Sequence, residues 1–224
     1  MDYYLGLDAG GTHTRARLVT ADGTVIGTGE GGPANTRIGL PAALEAVADA
    51  YMQALREAGL DESDFPAIRA GLGIAGLNRR GVLPGLQEHD FPFRSIAFAS
   101  DAAIANLGAH AGGDGAIVIV GTGSIGFARV GDQVYTIGGY GFPISDEGSG
   151  ADLGLGAIRR SLWARDGRIP HSAMTEAVLD HFHGKPGEIV DWTGRATPAD
   201  YAAFAPLVMD YASDPGEVGR LIGA

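Results

Sequence analysis

The stretch LGLDAGGTHTRARLVTADGTVIG, residues 5–27, decides the fold of this chain because its plan occurs twice. Each copy has an apolar strand, a turn of glycine and hydroxyl residues, an arginine-bearing strand, an Asp/Gly turn and a third strand. The second copy is IVIVGTGSIGFARVGDQVYTIGG, residues 117–139. A repeated three-stranded meander predicts two similar domains with ligands between their glycine-rich turns. The GGDG turn before the second copy places the boundary near residue 113, with domains at 1–113 and 114–224.

The segments around the two copies alternate between helix and strand patterns, which indicates an α/β fold. Apolar residues at helical spacing predict a helix over residues 41–58, and apolar runs predict strands at 67–76 and 95–100, the latter followed by a short helix. Beyond residue 147 the pattern predicts three helices, at 151–167, 172–184 and 198–213. No later strand is predicted, so we expect the second domain to be incomplete at its carboxyl end.

Composition excludes several classes of protein. The 224 residues include 27 acidic and 16 basic side chains, a net charge of −11, so the basic face of a nucleic-acid-binding protein is missing and an anionic membrane would repel the chain. The absence of cysteine excludes disulfides, thiolate zinc sites and cysteine-ligated iron–sulfur clusters, and it is typical of a reducing cytosol. No apolar run approaches the ~18 residues of a membrane span. We expect a cytoplasmic protein with small-molecule partners.

The two glycine-rich turns are the first candidate site. Backbone N–H groups in such turns approach anions closely, and hydroxyl side chains add donors for phosphate oxygens. Asp8 beside phosphates would be repelled unless a cation intervened, and Mg²⁺ is the usual one. The pattern therefore predicts a nucleoside triphosphate with its metal held by Asp8; the alternative is a pair of tight hairpins without a ligand. The turn residues are Gly10, Gly11, Thr12, Gly121, Thr122, Gly123 and Ser124.

Two other phosphate motifs are excluded by their context. GLGIAG (71–76) and GTGSIG (121–126) match G-x-G-x-x-G, but a dinucleotide site needs a helix that opens at the turn. Gly81 and Pro84 follow the first motif, and a strand follows the second. The P-loop needs G-K-[ST], whereas the only lysine, Lys185, precedes Pro186.

Three further segments carry polar residues that suit a hydroxylated substrate. Asp101 follows the strand at 95–100, where a carboxylate could accept the proton of a hydroxyl undergoing phosphorylation; the alternative is a helix N-cap. The glycine-dense loop at 138–154 could grip a polyhydroxylated ligand or only lead into a helix, and Asn35 and Thr36 could face a ligand or only form a turn. The DHFH segment (180–183) indicates a solvated helix, because positions i and i+2 do not share a helix face.

Four segments together, GLDAGGTHTRA, ASDAAIANLGA, VIVGTGSIG and GGYGFPISDEGSGADLG, resemble the acetate and sugar kinase, Hsc70 and actin superfamily. More narrowly they resemble N-acetylglucosamine kinase-like members of the BadF/BadG/BcrA/BcrD ATPase family, from residue 4 to about 160. This resemblance implies two ribonuclease-H-like, actin-like ATPase domains around a cleft that holds ATP and Mg²⁺. It implies phosphorylation of N-acetylglucosamine or glucosamine at the 6-hydroxyl.

The resemblance also implies roles for individual residues. Asp8 would bind the metal through water, Thr12 and Thr122 would contact the phosphates, and Asp101 would be the base that activates the sugar hydroxyl. The amino-sugar site would be lined by Asn35, Thr36, Asp101, Gly139, Tyr140, Gly141 and Asp146.

Two departures from the family pattern limit the prediction. The iron–sulfur branch of the family needs cysteine, which this chain lacks. The family's later glycine-rich adenosine motif, and the helix that returns to the first domain, have no counterpart in the sequence. The alternatives are therefore a non-catalytic sugar- or nucleotide-binding fragment, and an ATPase or a kinase for a non-sugar hydroxyl compound. Apolar surface left by missing strands favours association, as a homodimer, or poor solubility.

Overall fold

The computed structural model describes residues 2–34, 36 and 39–213. The chain divides into two compact units, Met1–Gly113 and Asp114–Ala224, and each is described by itself.

The first unit begins with the meander and continues with alternating helices and strands. Its strands are β1 (Tyr3–Ala9), β2 (Thr14–Thr20), β3 (Val25–Gly31), β4 (Ile68–Ile74) and β5 (Ser95–Ser100). Its helices are α1 (Leu40–Glu57), α2 (Val82–Glu88) and α3 (Asp101–Ala109), with a 3₁₀ turn at Glu62–Ala67. The strands and α1 lie where the sequence pattern predicts them. The 3₁₀ turn and α2 were not predicted, because segments of six and seven residues are too short to show a periodic pattern.

The five strands form one mixed sheet in the order β3-β2-β1-β4-β5. The meander strands pair antiparallel, whereas β4 is parallel to both β1 and β5. Ala9, Ile74 and Ser100, the last residues of the three parallel strands, stand in one row across the sheet. The loops that leave these strands therefore start from a single edge.

The core of the first unit lies between one face of this sheet and α1. Leu5, Leu7 and Ala9 of β1 are buried, and the alternating Gly6 and Asp8 lie on the opposite face. The backbone of α1 approaches β3 so closely that a Cβ on Gly29 would lie 2.0 Å from the carbonyl oxygen of Ala50. Glycine at this position is what allows the helix to dock on the edge strand.

The second unit has a smaller sheet and a helical layer. The strands β6 (Gly115–Val120), β7 (Ser124–Val130) and β8 (Gln133–Gly138) form an antiparallel sheet in the order β6-β7-β8. Among the residues described up to 213, five helices follow: α4 (Gly150–Arg165), α5 (Ala173–His181), α6 (Pro186–Thr193), α7 (Pro198–Ala202) and α8 (Ala205–Asp210). Within the described residues no strand pairs with the outer edge of β6, whereas β1 of the first unit has β4 at the corresponding edge.

The helical layer differs from the sequence prediction in two places. The single helix predicted at 198–213 is wrong: the structure has α7 and α8, because Pro206 lacks the N–H that a continuous helix needs at that position. Helix α6 was missed because its glycine- and proline-rich start is typical of a loop, although proline is well suited to the first turn of a helix. Met174, Val178 and Val208 are fully buried in the core of this layer. None of the described helices is long and apolar enough to cross a membrane.

Candidate active site

The turn after β1 presents two backbone amides. Gly10 N–H donates to the His13 carbonyl at 3.0 Å, and Ala34 N–H donates to the Gly10 carbonyl at 2.9 Å, which fastens the turn to the segment after β3. Gly11 and Thr12 are exposed, and in the part of the chain that the structure describes neither N–H donates a hydrogen bond. Two adjacent free amides beside a threonine hydroxyl suit the oxygens of an anion. The structure thus leaves Gly11 and Thr12 available for the predicted phosphate role.

Two carboxylates lie beside this turn. Asp8 pairs with Arg15 across β1 and β2, on the sheet face opposite the core. Asp101 is the first residue of α3, and its own carboxylate accepts the N–H of Ala102 at 2.9 Å. The N-cap of α3 is Ser100, whose hydroxyl oxygen accepts the N–H of Ala103 at 3.1 Å. The cap that was the alternative role for Asp101 is therefore supplied by its neighbour.

The surroundings of Asp8 raise the pKa of its carboxyl group. Partial removal from water raises the pKa of Asp8 above 3.8, and the negative charge of Asp101 raises it further, while Arg15 opposes both. A cation beside Asp8 would relieve this repulsion. Across the described residues no three His, Asp or Glu side chains gather into a metal cage. One carboxylate beside a phosphate site fits Mg²⁺, which usually keeps its waters and binds through one or two carboxylates and the substrate's phosphates.

Thr36 lies at the same edge of the sheet. Its hydroxyl oxygen lies 3.4 Å from the Ala75 carbonyl oxygen and 3.2 Å from that of Gly76, and Ala75 N–H in turn donates to Ala9 at 2.9 Å. The Thr36 hydroxyl hydrogen is therefore engaged with backbone carbonyls, which leaves its oxygen as an acceptor for a ligand. Asn35, predicted for the same site, lies outside the described residues.

An open cavity of about 1130 Å³ runs along the second face of the first unit's sheet. Asp8 and Arg15 line it together with Gly6 and Gly71, and Ile104 of α3 forms part of its wall. Nothing lies within 4 Å of the place a Cβ on Gly71 would take. Asp8 is thus exposed toward open space rather than enclosed in the core.

The second turn has the same kind of donor arrangement in its own unit. Gly121 N–H donates to the Gly123 carbonyl at 2.9 Å, and Ser124 N–H donates to the Asp146 carboxylate at 3.3 Å. As described, the intervening N–H groups of Thr122 and Gly123 donate to no acceptor within the chain. Each unit therefore offers a pair of consecutive free amides after a strand that begins its meander.

The loop between β8 and α4 contains four of the predicted substrate residues. Gly139 and Gly141 have φ angles of +72° and +96°, both in the region that favours glycine. Tyr140 between them is 81% exposed, so its ring is free to lie against a ligand. Asp146, in contrast, is only 9% exposed and lies against the turn at Gly123.

Arg15 is the functional candidate that the sequence pattern missed. The sequence contained the information needed to find it. Because the hairpin turn has four residues, 10–13, Ala9 pairs with Thr14, and Asp8 therefore pairs with Arg15. The buried hydroxyl of Thr14 donates to the Gly32 carbonyl at 2.8 Å, so this threonine links the end of the turn to the segment after β3.

A mixed sheet with a glycine-rich turn and two carboxylates at its carboxyl edge places the first unit in the α/β class. The chain matches the BadF/BadG/BcrA/BcrD ATPase family over residues 5–222 and belongs to that family.

Individual relatives share much of the sequence. Glucosamine kinase GspK of Vibrio cholerae is 42% identical over 217 residues, which cover 96% of this chain and 74% of that protein. The N-acetylmuramic acid/N-acetylglucosamine kinase of Clostridium acetobutylicum is 31% identical over 193 residues, covering 84% of this chain and 62% of the relative. The crystal structure of a predicted N-acetylglucosamine kinase from Chromobacterium violaceum superposes with a TM-score of 0.89 at 39% identity, covering 99% of this chain and 78% of the other.

Proposed function

We propose that this protein is an ATP-dependent kinase that transfers phosphate to the 6-hydroxyl of an amino sugar, glucosamine or N-acetylglucosamine. The observation that carries the proposal is the carboxylate pair Asp8 and Asp101 beside a turn with free amides at Gly11 and Thr12. The names of the relatives support the substrate class, since both curated proteins are amino-sugar kinases.

Each residue has a distinct part in the proposed reaction. Asp101 accepts the proton of the attacking sugar hydroxyl. The hydroxyl oxygen forms the new bond to the γ-phosphorus as the bond from that phosphorus to ADP breaks. The amides of Gly11 and Thr12 in the first unit, and those of Thr122 and Gly123 in the second, are the proposed donors to phosphate oxygens. Mg²⁺ bound with that nucleotide neutralises phosphate charge, and Asp8 is the residue that would hold it.

The sugar site of the proposal uses residues at two loops. Tyr140 offers an exposed ring, and Gly139 and Gly141 leave backbone groups accessible on either side of it. Thr36 offers its oxygen as an acceptor, and Asn35 and Asp146 complete the proposed set. We place the protein in the cytoplasm, as expected for a chain without cysteine.

The experiment is ADP release by this 224-residue chain with Mg·ATP, with and without each amino sugar. Sugar-stimulated release that is absent from Asp101→Asn supports the kinase. Product analysis by ³¹P–¹H NMR then tests the 6-position, with the 6-deoxy sugar as a matched control that should not be phosphorylated. A panel of non-sugar alcohols distinguishes this activity from a kinase of another substrate class.

One structural feature favours the second candidate, a binding fragment without catalysis. In the described part of the second unit the outer edge of β6 has no partner strand, and Val118 and Ile137 of that sheet are 77% and 78% exposed. Sugar or nucleotide binding without transfer at any Mg²⁺ concentration would support this function. The same apolar face is the surface that best suits the expected homodimer, which light scattering after size-exclusion chromatography tests.

A further inference from the structure

Hydrogen bonds join the glycine-rich turn at 121–124, here called the phosphate turn, to the start of α4. The loop at 139–149, between β8 and α4, is here called the sugar loop. Gly150 N–H donates to the Gly121 carbonyl at 2.8 Å, and Ala151 N–H donates to the Thr122 carbonyl at 3.2 Å. These bonds use the first amides of α4, which a helix cannot satisfy internally. The turn is therefore held by the start of the helix that the loop leads into.

Ser124 makes the two remaining links between the same segments. Its hydroxyl donates to the Glu147 carbonyl at 2.8 Å, and its N–H donates to the Asp146 carboxylate at 3.3 Å. A serine hydroxyl has one hydrogen, so it cannot donate to a phosphate while it donates to Glu147. Ser124 therefore faces the loop, and the free amides of Thr122 and Gly123 are the donors left for an anion.

The packing around Ser124 is close. A Cβ on Gly123 would lie 2.9 to 3.1 Å from the carboxylate atoms of Asp146, so the carboxylate rests directly on the turn backbone. Asp146 has a φ of +74°, an uncommon value for a residue other than glycine, and it is almost fully buried. A shift of the loop at Asp146 and Glu147 thus has to move the turn as well.

We propose that Ser124 is a positioning residue that couples the sugar loop to the phosphate turn, so that amino sugar and nucleotide raise each other's affinity. The inference rests on the proposed function and deepens it. A ligand that fixes the loop around Tyr140 also fixes Asp146 and Glu147, and through Ser124 the amides of Thr122 and Gly123. By thermodynamic linkage the effect on the two binding constants is reciprocal.

Calorimetry measures this coupling directly. The dissociation constant of a non-hydrolysable Mg·ATP analogue is measured with and without saturating glucosamine, then with N-acetylglucosamine, for the wild type and three variants. Allosteric couplings are typically about 5-fold or more, and we expect at least this in the wild type. Ser124→Ala is expected to bring the ratio to within about twofold of unity, and Ser124→Thr, which keeps the hydroxyl, to retain it.

Ser145→Ala is the matched control. Ser145 is in the same loop, and its hydroxyl donates to the Glu147 side chain at 3.3 Å without touching the turn. Its removal is expected to leave the coupling intact. An equal loss of nucleotide affinity in Ser124→Ala with and without sugar would show that Ser124 binds phosphate directly and would overturn the proposal, as would a coupling ratio that the substitution leaves unchanged.

A measurement without ligands separates this inference from the proposed function. If the wild type binds neither ligand, the kinase proposal fails. Hydrogen exchange of the free protein still tests whether Ser124 holds the turn against the loop before α4. Ser124→Ala is expected to speed exchange of the Gly150 and Ala151 amides, which bond to the turn, whereas Ser145→Ala is expected to leave them unchanged. Equal exchange rates in the wild type and both variants would refute the role given to Ser124.

Discussion

Asp8, near the end of β1, and Asp101, at the start of α3, lie close enough for the negative charge of Asp101 to raise the pKa of Asp8. The parallel strands β1, β4 and β5 bring the two residues together, because all three end at one edge of the sheet. Two carboxylates beside a turn that binds an anion repel each other and the anion unless a cation or a proton neutralises part of the negative charge. This relationship underlies the first two predictions.

Asp101→Asn is expected to lower the turnover rate by about 10² to 10⁴-fold, the usual contribution of a general base. Sugar binding should be retained, because asparagine has the same shape and can still accept the Ala102 N–H. ADP release and calorimetry with the sugar check the two parts. Asp49→Asn, on the exposed face of α1, is the control. Undiminished turnover in Asp101→Asn would rule out this residue as the base.

Asp8→Asn is expected to raise the melting temperature at pH 7 while it abolishes stabilisation by Mg·ATP. The folded-state pKa of Asp8 is raised above 3.8, so the native state gains from the protonated form below this value and loses that gain as pH rises through the folded-state pKa. The uncharged asparagine avoids the loss. Thermal unfolding from pH 4 to 8 measures the difference in melting temperature between Asp8→Asn and the wild type. This difference should be present at neutral pH and should decrease toward pH 4. A variant less stable than the wild type at pH 7 would contradict the charge argument.

Glu57→Gln is expected to destabilise the protein at neutral pH. The Glu57 carboxylate accepts both the N–H and the hydroxyl of Thr28 at 2.7 Å, which lowers the pKa of Glu57 below 4.5 and ties α1 to β3. Its stabilisation is present above pH 4.5 and is lost as pH falls through the folded-state pKa. Urea unfolding at several pH values measures the effect. Glu45→Gln, exposed on the same helix, is the comparison, and equal losses in both variants would speak against the bond to Thr28.

Gly29→Ala is expected to destabilise the first unit by about 1 to 3 kcal/mol, because its methyl group would meet the Ala50 carbonyl at 2.0 Å. Gly71→Ala is the matched control on β4 of the same sheet, where nothing lies within 4 Å of the new methyl group. This second change is expected to be neutral or to stabilise by up to about 1 kcal/mol through the unfolded state. Urea denaturation of both variants tests the pair, and similar midpoints would show that α1 can shift away from β3.

Much of the fold could be predicted because its signals are local. The apolar stretch that opens the first copy of the meander predicts a strand, and the structure has β1 there, with Leu5 and Leu7 buried. The helical spacing before Gly59 predicts α1. The break between α7 and α8 was not predicted because apolar spacing continues across Pro206, and only the missing N–H ends the helix.

Less of the candidate site could be predicted. The sequence placed Asp101 at the junction of a strand and a helix with two possible roles, and the structure assigns the N-cap to Ser100. It grouped Ser124 with the phosphate donors and Asp146 with the sugar ligands, whereas the two residues bond to each other across 22 positions of sequence. A contact at that separation leaves no local pattern to read.

By itself the sequence determined the α/β class, the duplicated meander and the candidate turns, because strand alternation, helical spacing and glycine turns depend on neighbours a few residues away. Only the tertiary structure decided which amides of those turns stay free, that Asp8 meets Asp101 and Arg15, and that Ser124 faces the loop before α4. These relationships depend on strand register and on hydrogen bonds between distant segments, which form only when the chain packs.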